Sequence, residues 1–157
     1  MLKENLNGFL DEITAKIADE NISTGVPLSR FSTYRVGGPA ALLIKVEDTS
    51  VFSLLVKALK KFHLPILLIG NGSNLLISDD GFEGAVLKLG ESFETIEIEG
   101  EVVKAGAAVK LPVLARETVK FGLSGFEWAV GVPGTVGGAV RMNAGGHGSD
   151  IASSLLE

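Results

Sequence analysis

Two glycine-rich stretches carry the residues best suited to hold a ligand. The longer runs from Gly125 to Gly148 and reads GFEWAVGVPGTVGGAVRMNAGGHG; it contains eight of the chain's 20 glycines, and its only charged residues are Glu127 and Arg141. A glycine inside a regular element costs roughly 0.5–1 kcal/mol relative to alanine, so something must offset the cost. The usual reason is close approach of backbone to another surface or to a ligand. Val132-Pro133-Gly134 predicts a turn into a short helix with Pro133 near its first position. On that helix Gly134, Gly137 and Gly138 give a bare face, and Val136 and Val140 an apolar one. The N-terminus of a bare helix suits an anion or an electron-rich ring. Tight helix packing with no ligand accounts for the same glycines.

The shorter stretch is Gly70-Asn-Gly-Ser-Asn-Leu-Leu76. Gly70 and Gly72 free the backbone, and Asn71, Ser73 and Asn74 supply short donors. Successive N–H groups in such a loop form a nest for phosphate oxygens. No Gly-Lys-Ser/Thr follows, so it is not a Walker A loop. Leu75 and the lack of a helical pattern after it also exclude the G-x-G-x-x-G fingerprint. A plain strand-to-strand turn explains these residues equally well. A third bend, Gly37-Gly38 before Pro39 in RFSTYRVGGPA, reads by itself as a turn between strands.

Other chemistries are excluded by what the chain lacks. It has no cysteine, so disulfides, thiolate catalysis and cysteine-ligated metals are out. His63 and His147 lack metal-ligand spacing, and no metal site is expected. A formal net charge of -5 argues against nucleic acid or an anionic membrane as partner. The N-terminus has no continuous apolar run and is not a signal peptide. No stretch approaches the ~20 apolar residues of a membrane span, so a cytoplasmic location is expected.

The elements that must position these stretches follow from apolar spacing. Leu2, Leu6, Phe9, Leu10, Ile13 and Ile17 predict an amphipathic helix over 2–20. Residues 41–46 predict a strand buried on both faces. A helix capped by Asp48 or Thr49 runs to about Phe62, and 65–69 predict a second buried strand. Strand, helix and strand over ~30 residues make a βαβ unit with parallel strands. Short strands are expected at 75–78 and 84–89 around Asp79-Asp80-Gly81. A hairpin is expected from 93–98 and 102–105, then a helix from Leu111-Pro112 to Gly122. The change of character near Gly90 sets the expected division: an N-terminal helix at 1–21, a βαβ lobe at 22–90 and a second lobe at 91–157. The chain stops on Leu155-Leu156-Glu157 with no helix stop signal, which reads as a cut within the second lobe.

Three segments in this order resemble one family: STYRVGGPA at 32–40, GNGSNLLISDDGFEGAVLKL at 70–89 and the Gly125–Gly148 stretch. They are similar to the UDP-N-acetylenolpyruvoylglucosamine reductases, flavoenzymes of peptidoglycan precursor synthesis, over roughly residues 22–157. The resemblance implies an α+β fold of the vanillyl-alcohol-oxidase type, with FAD held between two lobes, the second incomplete here and the substrate domain absent. It places Gly70, Asn71, Gly72, Ser73, Asn74 and Leu75 around the pyrophosphate. It places Val132, Pro133, Gly134, Thr135, Gly137 and Gly138 along pyrophosphate and flavin. Asn143, Gly145 and His147 would run beside the flavin ring, Tyr34, Arg35, Val36 and Gly37 would close the pocket, and Gly125 belongs to the same set.

The implied reaction passes hydride from NADPH through the flavin to the enolpyruvyl double bond of a UDP-sugar, with protonation of the neighbouring carbon. In the family a serine gives the proton, and an arginine and a glutamate stabilise the charge that develops. The arginine lies in a Tyr-Arg-x-Ser segment and the serine in a Gly-Ser-x-Phe-x-Asn-Pro segment. Neither occurs in residues 1–157. No catalytic residue is therefore expected in this chain, and alone it is expected to be inactive. A truncated sheet edge is expected to promote self-association. A different flavin oxidase or dehydrogenase, or a non-catalytic nucleotide-binding or interaction module, are the alternative readings.

Overall fold

The structure, a computed structural model, describes residues 2–157. It forms two compact units. One comprises the chain up to Ile69 together with Asn74–Gly90; the other comprises Gly70–Ser73 together with Glu91–Glu157.

The first unit opens with helix α1, Leu2–Ile13. The helix stops short of the expected residue 20. From Thr14 the chain turns, with Ile17 N donating to Ile13 O at 3.1 Å, and a 3-10 turn follows at Asp19–Asn21. The apolar spacing misled because Ile17 is core either way: this turn keeps it buried, like Phe9 and Ile13. The Phe9 ring meets Phe62 edge-on at 6.3 Å.

Strands β1 (Ile22–Ser23) and β2 (Val26–Pro27) both pair antiparallel with β3 (Pro39–Val46). Helix α2 (Thr49–Lys61) leads to β4 (Ile66–Ile69), and β5 (Phe82–Leu89) completes the sheet in the order β1-β3-β5-β4. The βαβ unit is present, but its strands are not neighbours. Both β3 and β4 run parallel to β5, which lies between them. Composition explains the insertion: Ala85, Val86 and Leu87 are consecutive and buried, so β5 needs cover on both faces. Strand β3 hides only one face, through Ala40, Leu42, Ile44 and Val46, while Lys45 is exposed. Strand β4 lies at the edge with Ile66 and Leu68 exposed, so neither is the doubly buried strand expected. Residues 75–78 form no strand; Ser78 O instead accepts isolated bonds from Gly38 N and Gly81 N.

In the second unit β6 (Ile96–Glu99) and β7 (Val102–Ala105) form the expected hairpin. Helix α3 (Leu111–Lys120) starts at Leu111-Pro112, a 3-10 turn covers Glu127–Gly131, and α4 spans Val136–Met142. The two-residue strands β8 (Gly145–Gly146) and β9 (Ser149–Asp150) pair antiparallel. The core beneath them is Leu111, Ala115, Trp128, Ala129, Ala139 and Ile151.

Asp48 caps α2, its carboxylate accepting from Ser50 N at 2.6 Å and from the Ser50 hydroxyl. These bonds, the hydroxyl's first, hold its carboxyl below the usual aspartate range. A carboxyl lowered on folding contributes stability above its unfolded pKa and loses it as pH falls through the folded one. Asp48→Ala is expected to lower the melting temperature at neutral pH. Asp48→Asn keeps a capping oxygen, and its deficit against the wild type should shrink as pH falls through the carboxylate range, measured by thermal melts across pH.

Candidate functional site

The loop Gly70–Ser73 follows β4 but packs within the second unit. Its first residue allows this. A Cβ built on Gly70 would collide with Thr135 Oγ1 and lie 3.2 Å from Thr135 Cγ2. Any side chain at 70 would push the loop away. Gly72 is buried with φ +64, a left-handed conformation that glycine adopts without strain. Gly134, at φ +138, brings its backbone close to Ser73: a Cβ there would lie 3.5 Å from Ser73 Oγ. The two glycine stretches thus meet through Gly70, Ser73, Gly134 and Thr135. Asn71 and Ser73 donate no hydrogen bond within the described residues, and the loop contains no carboxylate.

Helix α4 begins later than the sequence suggested. Thr135, not Pro133, stands at its start: Thr135 is the N-cap, buried, and its Oγ1 accepts from Gly138 N at 3.3 Å. Pro133 lies in the preceding turn. The helix N-terminus is also not bare. Val136 N donates to Val109 O at 2.8 Å, and Gly137 N donates to Ala107 O at 2.9 Å. Those two N–H groups are therefore committed to backbone carbonyls and do not face an anion. Gly137 has a packing reason of its own, because a Cβ there would meet Ala107 Cβ at 3.0 Å and Ala107 O at 3.1 Å. Ala107 is the residue that sequence reasoning missed; the small-residue run Gly106-Ala107-Ala108 was its only signal.

Beyond α4, Asn143 reverses the chain at φ 45. Its Nδ2 donates to Asp150 Oδ2 at 3.0 Å, and its Oδ1 accepts from Ala152 N at 3.1 Å. Both ends of the side chain therefore hold the β8–β9 turn. Gly145 faces Asp150 across that pair, where a Cβ would crowd Ser149 O at 2.7 Å. His147 is exposed, and its Nε2 lies 3.1 Å from where a Cβ on Gly131 would sit. Val132 packs against the Trp128 core. Gly125 stands apart, with nothing near a Cβ at that position and its N–H donating to Glu127 at 2.8 Å.

The remaining sequence-derived residues lie in the first unit. Asn74 is exposed, and Leu75 packs against the cluster of Leu28, Ala40, Ile69 and Val86. Tyr34, Arg35 and Val36 are exposed, and Gly37 backs onto Ile77. Among the described residues no His, Asp and Glu group could hold a metal ion. No described helix is long and apolar enough to cross a membrane.

Residues 39–157 match the family described as FAD binding domain. The chain belongs to that family. A curated relative of this FAD binding domain, UDP-N-acetylenolpyruvoylglucosamine reductase of Bacillus licheniformis, is 46% identical over 131 residues, covering 83% of this chain and 43% of that protein. The crystal structure of UDP-N-acetylenolpyruvylglucosamine reductase from Thermus caldophilus superposes with a TM-score of 0.69 at 38% identity, over 81% of this chain and 44% of that one. Alkyldihydroxyacetonephosphate synthase shares the fold at 18% identity, with a TM-score of 0.66 over 94% of this chain and 34% of that one. The chain spans less than half the length of these relatives. The fold is the α+β FAD-binding type, as the resemblance implied. The residues present fit FAD: a carboxylate-free glycine loop with uncommitted donors at Asn71 and Ser73 suits a pyrophosphate.

The Gly70–Thr135 contact has a direct test. Thr135→Ala removes the cap and should cost about 0.5–2 kcal/mol. Gly70→Ala should destabilise the wild-type background by a steric clash. In the Thr135→Ala background that clash is gone, so the two losses should sum to clearly more than the double variant shows in urea melts. Simple additivity would mean that the loop does not lie on Thr135.

Proposed function

We propose that the chain is the FAD-binding portion of an NADPH-dependent reductase that converts UDP-N-acetylglucosamine enolpyruvate to UDP-N-acetylmuramate. The observation that carries this reading is the seating of Gly70–Ser73 on Thr135, supported by family membership and by the names of the relatives. When bound, FAD supplies two-electron carriage between a nicotinamide donor and the substrate double bond. The chain's own residues bind and orient. The N–H groups and side chains of Asn71 and Ser73 hold the pyrophosphate, and left-handed Gly72 turns the loop around it. Gly134 keeps backbone, not side chain, facing Ser73, which leaves the phosphate path open. Thr135 fixes the loop against α4, and the turn held by Asn143 presents Gly145 and His147 outward.

The same reading brings the UDP-sugar as substrate, a cytoplasmic location, no nucleic-acid or membrane partner, and a part in cell-wall biogenesis, cell shape and division. It extends to self-association. The β6–β7 sheet has two strands, and no described strand pairs with its outer edges.

Thermal melts test it. FAD at about 100 times its Kd adds roughly 2.7 kcal/mol of stability. At roughly 2–4 °C per kcal/mol, the midpoint should rise by about 5–10 °C. FMN, lacking the adenylate half, should raise it less. Gly72→Val should remove most of the FAD shift, and Lys57→Ala, on the exposed face of α2, should leave it intact. No shift either here or in a chain of the relatives' full length would end the flavoprotein reading.

A second outcome concerns turnover. The segments to which the resemblance assigns proton donation and charge stabilisation are absent from residues 1–157. FAD-loaded protein should therefore show no substrate-dependent NADPH oxidation above an FAD-and-buffer control. Measurable turnover would place those groups within these residues.

A further inference from the structure

The first unit contains a recess built around two arginines without an anionic partner. Ser29, Arg30, Ser32 and Arg35 line an open hollow of about 470 Å³. The chain is acidic, with 19 carboxylate side chains against 14 basic ones. Lys45, Lys61, Lys104 and Lys120 each find a carboxylate. Among the described residues Arg30 and Arg35 find none. Two guanidinium groups on one hollow repel each other, and an anion between them reverses the sign of that interaction.

The frame holding these arginines is fixed. Leu28 is buried, its N–H donates to Gly38 O at 2.9 Å, and Ser29 N donates to Gly37 O at 3.1 Å. Ser32 is buried, and its hydroxyl donates to Val36 O at 3.0 Å. Arg35 N donates back to Ser32 O at 3.2 Å, and Gly38 N donates to Ser78 O at 2.8 Å. A Cβ on Gly38 would collide with the Asp79 backbone, so that end of the loop lies against the 78–81 turn. Within this frame Arg35 is held at φ 55, a conformation that costs a non-glycine residue and persists only where the surroundings impose it.

We propose that this recess binds a phosphoryl group, with Arg30 and Arg35 gripping its oxygens and the Ser29 hydroxyl adding a donor. Two guanidinium forks and a hydroxyl offer more donors than the two oxygens of a carboxylate take up, and they match a tetrahedral oxyanion. Ser32 belongs to the frame, its hydroxyl being committed to Val36. The phosphoryl group comes either from the flavin dinucleotide or from a separate phosphorylated ligand. The proposal stands on the first unit's own geometry and does not need the Gly70–Ser73 loop to hold FAD.

The test is calorimetric titration of the whole chain with inorganic pyrophosphate. Binding should weaken as salt rises. Arg30→Gln and Arg35→Gln should each weaken it about tenfold or more, as expected when a bidentate charged partner is lost, with Arg35→Lys falling between. Circular dichroism melts confirm that each variant is folded. These titrations are run in the Gly72→Val background, so that the Gly70–Ser73 loop does not contribute, and Lys57→Ala, on the exposed face of α2, should leave pyrophosphate binding unchanged. Titration of FAD-saturated wild-type protein separates the two sources: loss of the arginine-dependent part of pyrophosphate binding assigns the recess to the flavin dinucleotide, and its retention assigns it to a separate ligand. Equal binding by the Gly72→Val protein and both glutamine variants would overturn the proposal. So would no measurable binding by the Gly72→Val protein at low salt.

Discussion

One steric fact governs the candidate site: residue 70 has no side chain, and Thr135 occupies the space one would take. Thr135 is committed twice. It is buried against the second unit's core, and its hydroxyl caps α4 through Gly138 N. The position of the Gly70–Ser73 loop is therefore tied to a helix cap, and the cap is tied to the core through Ala139, one turn along. Loop, cap and core form a single mechanical chain, which is how a short polar loop is held still enough to serve a ligand. The cost of glycine at 70 and 134 is offset by the close approach it permits.

The glycines that looked alike in the sequence serve different ends. Gly70 and Gly134 bring the loop and the helix together. Gly137 seats α4 against Ala107, and Gly145 lets two short strands approach. Packing accounts for Gly137 and Gly145, and the ligand reading is the one proposed for the Gly70–Ser73 loop. The N-terminus of α4 shows why composition misleads here. Its residues are small and uncharged, yet its donors are consumed by the carbonyls of Ala107 and Val109, and no spacing rule signals that.

Local physics made much of the fold legible. The Asp48 cap, the α2 apolar face, the β6–β7 hairpin and the proline start of α3 all follow from short-range pattern, and all are present. The failures are non-local. Apolar periodicity could not separate a helix from a turn at Ile17, since either conformation buries it. The place of β5 between β3 and β4 depends on burial summed over the whole sheet, not on the βαβ segment. At the site, Gly70, Ser73, Gly134 and Thr135 were legible as candidates because glycines and short donors recur there. Arg30 was not, because one exposed arginine carries no signal until the fold sets it beside Arg35.

The most direct test of the central claim is amide chemical-shift mapping by NMR on isotope-labelled protein titrated with FAD. The account predicts that the largest shifts cluster at Gly70–Ser73 and at Gly134 and Thr135, with the β6–β7 hairpin unmoved. Saturable FAD binding that leaves the amides of Gly70–Ser73 and Thr135 unchanged would contradict it.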